Sequence, residues 1–386
     1  MTDAARMLSL AARLALRGQG DVEPNPLVGC VIARGGDVLG VGHHRRFGHA
    51  HAERDALDSC ARLGHDPAGA TVYCTLEPCA CAGRQPACVD ALINARVARV
   101  VFAREDPTPG KGGGAARLRE AGIVAERFDA CPLATSVSAP FIKRATTDLP
   151  WVFAKWAQTI DGRVATRAGE SQWISGPRAR AHVHRLRARV DAILTGIGTV
   201  LADDPLLTAR DAARVRRRAA RVVADSDLDI PLESRLVRTA DQQPTIIACA
   251  AELARAEITR AKRERLAGAG VSILGVPTHA SGRGIDLRFL LAVLRARGCS
   301  SVLVEAGPGL MGAMIEEDMV DEAVVHVAPL LLGDELARSA AAGRVVERLS
   351  GGKRFSLYRV KSLNADVELV YRATGAANAS HTKEPR

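Results

Sequence analysis

Residues 70–103, ATVYCTLEPCACAGRQPACVDALINARVARVVFA, decide how the first half of the chain folds. ATVYCT (70–75) and RVARVVFA (96–103) are short apolar runs rich in β-branched residues, and 86–94 between them reads as a short helix. Upstream, a helix is expected from about His51, preceded by two strands, 27–34 and 37–42, joined at a Gly-Gly turn. An amphipathic helix opens the chain. Downstream, the loop GKGGG (110–114) leads into a helix at 115–121 and a strand at 123–128. Strands alternating with helices predict an α/β domain, a mostly parallel sheet covered on both faces, over residues 1–130.

Residues 131–148 read as a connector holding one helix, VSAPFIKRA. A second alternating block, 149–373, starts at WVFAKWAQTIDGRVA. Helices are expected at 178–189, 251–267, 286–297 and 309–317, and strands at 191–196, 221–226, 244–250, 271–276, 301–306 and 322–329. FSLYRVKSL and DVELVYRAT look like a closing antiparallel pair, and 374–386 is a polar tail.

The 386 residues suit two cores, and 47% hydrophobic with 25% charged residues excludes a disordered chain or a coiled coil. No apolar run reaches the ~18 residues of a bilayer span. The first helix carries Asp3 and arginines within its apolar stretch, a poor signal peptide, so a cytoplasmic protein is expected. The formal net charge of +10 permits acidic ligands such as phosphorylated metabolites. With 3% aromatic residues a base-stacking surface is hard to assemble, so neither nucleic acid nor membrane is expected as a partner.

Of nine cysteines, Cys74, Cys79, Cys81 and Cys88 fall within fifteen residues. In a reducing compartment such clustering favours metal or catalysis over disulfides. His51-Ala-Glu53 opens a helix, and Glu77-Pro78-Cys79 precedes further cysteines. One histidine and two cysteines hold zinc with a fourth position open, and a glutamate two residues from the histidine is what a zinc deaminase uses to carry protons. Positions i and i+2 reach one site only where the first is not yet helical. Spacing leaves Cys81 and Cys88 both open as second thiolate. A structural zinc closed by Cys74 or Cys81 is the competing arrangement.

PNPLVGCVI (24–32), GHHRRFGHAHAE (42–53) and residues 70–93 resemble the deaminase half of the bifunctional riboflavin-biosynthesis deaminase–reductases. AKWAQTIDGRVA, GESQWISGP, AILTGIGTVLADDPLLTAR and VLVEAGPGLMGAM resemble the reductase half. The resemblance implies a cytidine-deaminase-like three-layer domain followed by a dihydrofolate-reductase-like domain. It assigns His51, Cys79 and Cys88 to zinc, Glu53 to proton transfer, and Asn25 and His44 to the pocket. It assigns NADPH to Ala157, Trp173, Thr199, Asp203, Gly307, Gly309 and Gly312. Ser171, Arg187, Leu207, Arg210 and Glu305 fall to the phosphoribosyl substrate, a phosphorylated pyrimidine. Lys155 and Asp161 are candidates for polarising or protonating the sugar centre.

Gly307-Pro-Gly309-Leu-Met-Gly312 follows a strand, but the next strand, EAVVHVAP, ends without the acid a Rossmann unit requires. The chain departs from the family where Ser-His-His-Gly-Arg-Thr-Pro-Pro-Cys becomes Ala80-Cys-Ala-Gly-Arg-Gln-Pro-Ala-Cys88, and where Asp-Pro-Asn-Pro becomes Asp106-Pro-Thr108-Pro. The altered loop motivates one alternative, a paralogue with the same chemistry in another pyrimidine-derived pathway. An RNA-editing deaminase and a degenerate scaffold are weaker alternatives. A homo-oligomer is expected.

Overall fold

The computed structural model describes residues 2–374 apart from 84, 211 and 213; all of the expected tail except Thr374 lies outside them. The chain divides into two compact units, Met1–Thr147 and Asp148–Arg386.

The first unit contains α1 (Asp3–Ala15), β1 (Gly29–Arg34), β2 (Asp37–His43), α2 (Ala52–Leu63), β3 (Thr71–Cys74) and α3 (Cys88–Asn94). It continues with β4 (Arg99–Phe102), α4 (Gly114–Glu120), β5 (Val124–Arg127), α5 (Pro132–Val137) and α6 (Ala139–Thr146). The sheet order is β2-β1-β3-β4-β5. Only β3–β4 and β4–β5 are parallel, because the Gly35-Gly36 turn folds β2 back on β1 and β3 also runs against β1. The expectation of a mostly parallel sheet therefore fails at its β1 end.

Alternation along each strand builds the layers. Cys30 and Ile32 of β1 face α2, α3 and α4, whereas Val31 and Ala33 face α1. Three glycines bring helices onto strands at backbone distance. A Cβ on Gly29 would sit 1.9 Å from Ala11 O in α1. A Cβ on Gly40 or Gly42 would meet the α2 backbone at 2.6 Å or less. The second contact sets the position of α2, and with it His51 and Glu53.

The segment expected as a connector is part of this unit. Ala134 and Val137 of α5 pack with Leu8 and Ala12 of α1, and Phe141 and Ile142 of α6 pack on the core shared by α2, α3 and α4. Its apolar residues recur at helical spacing, and burying them consumes the segment as structure.

The second unit contains β6 (Trp151–Gln158), β7 (Arg163–Ala165), α7 (Pro177–Arg187), β8 (Ala192–Gly196), α8 (Ile197–Asp203), β9 (Ala220–Ala224), α9 (Arg235–Arg238) and β10 (Thr245–Ala250). It continues with α10 (Arg260–Gly268), β11 (Val271–Val276), α11 (Leu287–Ala296), β12 (Ser301–Val304), α12 (Pro308–Glu316) and β13 (Glu322–Val327). β14 (Arg338–Ser339), β15 (Phe355–Leu363) and β16 (Asp366–Ala373) complete it.

Nine strands run in the order β11-β10-β9-β8-β12-β6-β13-β16-β15. The first seven are parallel, and β16 and β15 close the edge antiparallel, as expected. α10 starts at Arg260 rather than at 251. Ala251 N donates to Val276 O, tying the preceding segment to the end of β11 as turns. From β8 the sheet grows one way through β9, β10 and β11, then the chain returns to insert β12 between β8 and β6. Crevices at the carboxyl ends of strands flanking such a reversal are where open α/β sheets bind ligands.

Candidate active sites

In the first unit His51 is the N-cap of α2, with extended backbone at φ −73° and ψ 166°. It is still outside the helix while Glu53 is in the first turn, the arrangement that lets i and i+2 share a site. Cys88 opens α3, and Cys79 lies in the loop before it. His51 Nδ1 is 3.3 Å from Cys88 Sγ and 3.7 Å from Cys79 Sγ, and Cys88 N donates to Cys79 Sγ at 3.3 Å. One ligand atom from each of His51, Cys79 and Cys88 lies within 4.8 Å of the others. Cys81 is exposed and its Sγ contacts Gly110 O. Cys74 is buried against Cys30 at 3.6 Å, a sulfur–sulfur contact within the core.

The electrostatics are those of a metal-ready thiol pair. Hydrogen bonding from Cys88 is the main influence drawing the Cys79 thiol down to about 4, aided by His51. Cys88 is pushed up, because it shares its proton with Cys79 and is buried. Glu53 is 3% exposed, and burial first, then the charge on Cys79, holds its carboxyl above the ordinary range. The hydrogen bond that His51 donates to the Cys79 thiolate raises the imidazole.

Asn25 and His44 also converge here. Asn25 Nδ2 is 3.1 Å from His44 Nε2, and His44 Nδ1 is 2.9 Å from Ala50 O. The His44 ring stands edge-on to His51 at 5.4 Å between centroids, and burial lowers its pKa, favouring neutral imidazole.

Sequence reasoning missed what steadies the Cys79 loop. Glu77 is 7% exposed and accepts from Ala115 N at 2.8 Å and Asp106 N at 3.2 Å, joining the loop to the start of α4. Gly114 lies under Pro78, where a Cβ would be 1.8 Å from Pro78 O. GKGGG, expected as a loop, thus contributes a close-packed support. The signal available was the glutamate immediately before Pro78-Cys79. In the altered loop, Gln85 Nε2 donates to Gly48 O at 3.1 Å, and Arg84 lies outside the described residues.

In the second unit two helix starts, Ile197 of α8 and Pro308 of α12, follow neighbouring strands β8 and β12. Gly307 N donates to Thr199 Oγ1 at 3.0 Å, joining them, and nothing lies within 4 Å of a Cβ built on Gly309. Gly312 has a different reason to be glycine, since a Cβ there would be 1.9 Å from Ala342 O. Asp203 Oδ1 accepts from Ser171 Oγ at 3.3 Å and Gln172 Nε2 at 3.5 Å. Trp173 beside them is 69% exposed with the Arg180 guanidinium 4.7 Å above its ring, which excludes core packing as its role.

Arg187 and Glu305 pair with each other through two bonds of 2.6 and 3.0 Å. Burial pushes Glu305 up, but the charge and hydrogen bonds of Arg187, with Lys155, outweigh it and hold the carboxyl below the usual range. Lys155, on β6 beside β12, is lowered by burial, partly offset by Glu305. Ala157 is half-buried further along β6. Leu207 is 3% exposed in left-handed backbone at φ +49°, so its side chain packs inward. Arg210 is exposed, and its N–H meets His184 Nδ1 at 3.2 Å.

Asp161 is used elsewhere. Thr159 Oγ1 donates to it at 2.6 Å and Gly333 N at 2.9 Å, and these bonds, the hydroxyl first, bring its pKa to about 2. It is a turn clamp for the 332–333 segment rather than a proton donor. In the basic run at 214–218, Arg217 pairs with Asp191.

No helix among the described residues is long and apolar enough to cross a membrane. Residues 1–104 match the cytidine and deoxycytidylate deaminase zinc-binding region, and 150–369 match the RibD C-terminal domain. Riboflavin biosynthesis protein RibD of Escherichia coli is 38% identical over 372 residues, covering 93% of this chain and 96% of its own length. The Mycobacterium tuberculosis RibD is 36% identical, with 94% and 95% covered. Among solved structures, Acinetobacter baumannii RibD (form 1) is 34% identical with a TM-score of 0.75, covering 96% of this chain and 99% of that one. The Thermotoga maritima diaminohydroxyphosphoribosylaminopyrimidine deaminase/5-amino-6-(5-phosphoribosylamino)uracil reductase gives 29% and 0.76 at the same coverage. The first unit has the cytidine-deaminase-like fold and the second the dihydrofolate-reductase-like fold of these proteins. Matched in both units and along nearly its whole length, the chain belongs to the RibD family of bifunctional riboflavin-biosynthesis deaminase–reductases.

Proposed function

We propose that the first unit hydrolyses the 2-amino group from 2,5-diamino-6-(5-phosphoribosylamino)pyrimidin-4(3H)-one, and that the second uses NADPH to reduce the ribosyl group of the product to ribityl. The observation that carries this reading is the convergence of His51, Cys79 and Cys88 beside buried Glu53. An imidazole and two thiols, one already disposed to ionise, fit zinc, with three protein ligands leaving a fourth position for chemistry. A zinc ion there supplies Lewis-acid activation of water. Glu53 would take a proton onto its carboxylate and return protons to the ring nitrogen and the departing amine, so that water enters and ammonia leaves. Asn25, oriented through neutral His44, would position the pyrimidine.

In the second unit the paired helix starts at Ile197 and Pro308, with open space over Gly309, fit the phosphates of a nicotinamide cofactor. Such a cofactor supplies hydride. Ser171, Trp173 and Asp203 would border it. Arg187 would hold substrate from its clasp with Glu305, and Lys155, lowered by burial, would give a proton to the ribose ring oxygen as C1′ is reduced. The test follows ammonia release from zinc-loaded protein without NADPH, then NADPH oxidation after its addition. Ammonia first and substrate-dependent oxidation second is the expected result. Absence of both signals from zinc-loaded protein would refute the substrate assignment.

A further inference from the structure

A second cluster of metal-type ligands lies in the reductase unit, on elements that carry none of the deaminase residues. His326 on β13 and Glu368 on β16 are register partners, so both side chains leave the same face of the sheet, and His182 of α7 meets them there. Their exposures are 9% for His182 and 0% for His326 and Glu368. One ligand atom from each lies within 4.8 Å of the others. His326 Nε2 stands 3.3 Å from Glu368 Oε2, close to the separation of two ligands on one tetrahedral zinc, roughly 3.3 Å for bonds of this length. His182 Nδ1 pairs with the same Oε2, so one carboxylate oxygen faces both imidazoles. Glu368 Oε1 accepts from Arg359 at 2.9 Å, which orients the carboxylate in the way outer partners orient metal ligands.

An ion-pair network would explain why the acid is buried. The same contacts stand without a cation as a buried ion-pair network, and the two arrangements differ in whether the cluster takes up a metal ion. A cation between the three atoms would satisfy both imidazole lone pairs and the oxygen together. We propose that His182, His326 and Glu368 form a second divalent-metal site, separate from the deaminase zinc. Two imidazoles and one carboxylate select a borderline ion such as Zn2+ over Mg2+ or Ca2+, which prefer all-oxygen shells. The ion would tie α7 to β13 and β16. Because α7 ends at Arg187, it would also steady the clasp on Glu305.

The test is a Co2+ titration of the full-length, metal-stripped protein. Two equivalents per chain are expected, one with thiolate charge-transfer absorption and one with only visible ligand-field bands. The double variant Cys79→Ala/Cys88→Ala should keep one equivalent and lose the charge-transfer band. Glu368→Gln and His182→Gln, each checked for folding by circular dichroism, should lose the ligand-field-only equivalent and keep the other. A single equivalent in the parent, none in the double cysteine variant, or a second equivalent that survives in both Glu368→Gln and His182→Gln would overturn the proposal. If both of those variants misfold, the parent and the double cysteine variant still decide.

Discussion

Replacing Glu53 with glutamine isolates proton transfer from everything else the first unit does. Glu53 is 3% exposed in the first turn of α2, and glutamine has nearly its shape, so packing on β2 is undisturbed. The variant leaves the three clustered ligand groups, His51, Cys79 and Cys88, in place. Metal content should therefore stay at the parent value. A single positioned acid–base group contributes roughly 10²–10⁴ in rate, or about 3–5 kcal/mol of barrier. Glu53 would serve more than one transfer in this reaction, which places the expected loss towards the upper end of that range. The assay measures ammonia release without NADPH, metal by mass spectrometry, and NADPH oxidation with substrate deaminated beforehand. Deamination within tenfold of the parent would show that Glu53 does not carry the proton. Loss of both activities would refute two independent sites.

Other substitutions test the rest of the argument. Cys88→Ala should empty the deaminase metal site whereas Cys81→Ala, whose sulfur faces Gly110, should leave metal content unchanged; the reverse outcome reassigns the ligand. Gly114→Ala would place a methyl 1.8 Å from Pro78 O, so deaminase activity and zinc retention should fall together while NADPH oxidation persists. Glu305→Gln leaves Arg187, only 13% exposed, without its partner, at a cost of about 3–5 kcal/mol. For a unit of this size that corresponds to a fall in melting temperature of roughly 6–20 °C. Because Glu305 has a depressed pKa in the fold, its contribution is fully present above the ordinary glutamate value and is lost as pH falls through the folded value. The melting temperatures of parent and Glu305→Gln should therefore begin to converge once pH drops below the ordinary glutamate value and meet only below the lower folded value; an unchanged gap would place the stabilisation elsewhere.

Most strands and helices were legible because each has one period and a clear boundary. β1 alternates between two cores, α11 carries a sustained apolar stripe, and β15 and β16 alternate as an edge pair. The errors arise where distant backbone decides. Nothing local to β3 states that it runs against β1, since direction depends on which neighbour it pairs with. The apolar residues of 131–148 fit helices but do not say what covers them, and it is α1 that buries Ala134 and Val137. The turns before α10 are set by a bond from Ala251 to the last residue of β11, twenty-five positions away.

The site divides the same way. His51, Glu53 and Cys79 were legible because metal chemistry demands particular atoms at short spacing, whereas spacing left Cys81 and Cys88 both open and the family resemblance chose Cys88, which the structure brings beside His51 and Cys79. In the reductase unit the family resemblance supplied residues without their relations. Arg187 and Glu305 were each expected to hold substrate, but in the structure their first partner is each other, through two hydrogen bonds. Gly312 sits in a phosphate-like pattern, but the chain at Ala342 requires it. His182, His326 and Glu368 are spread over 187 positions with no motif to join them, and only the register of β13 against β16 under α7 makes them one cluster. A motif can be read from sequence when its residues are held by one loop or one helix start. A constellation assembled across a sheet becomes visible only once strand order and register are known.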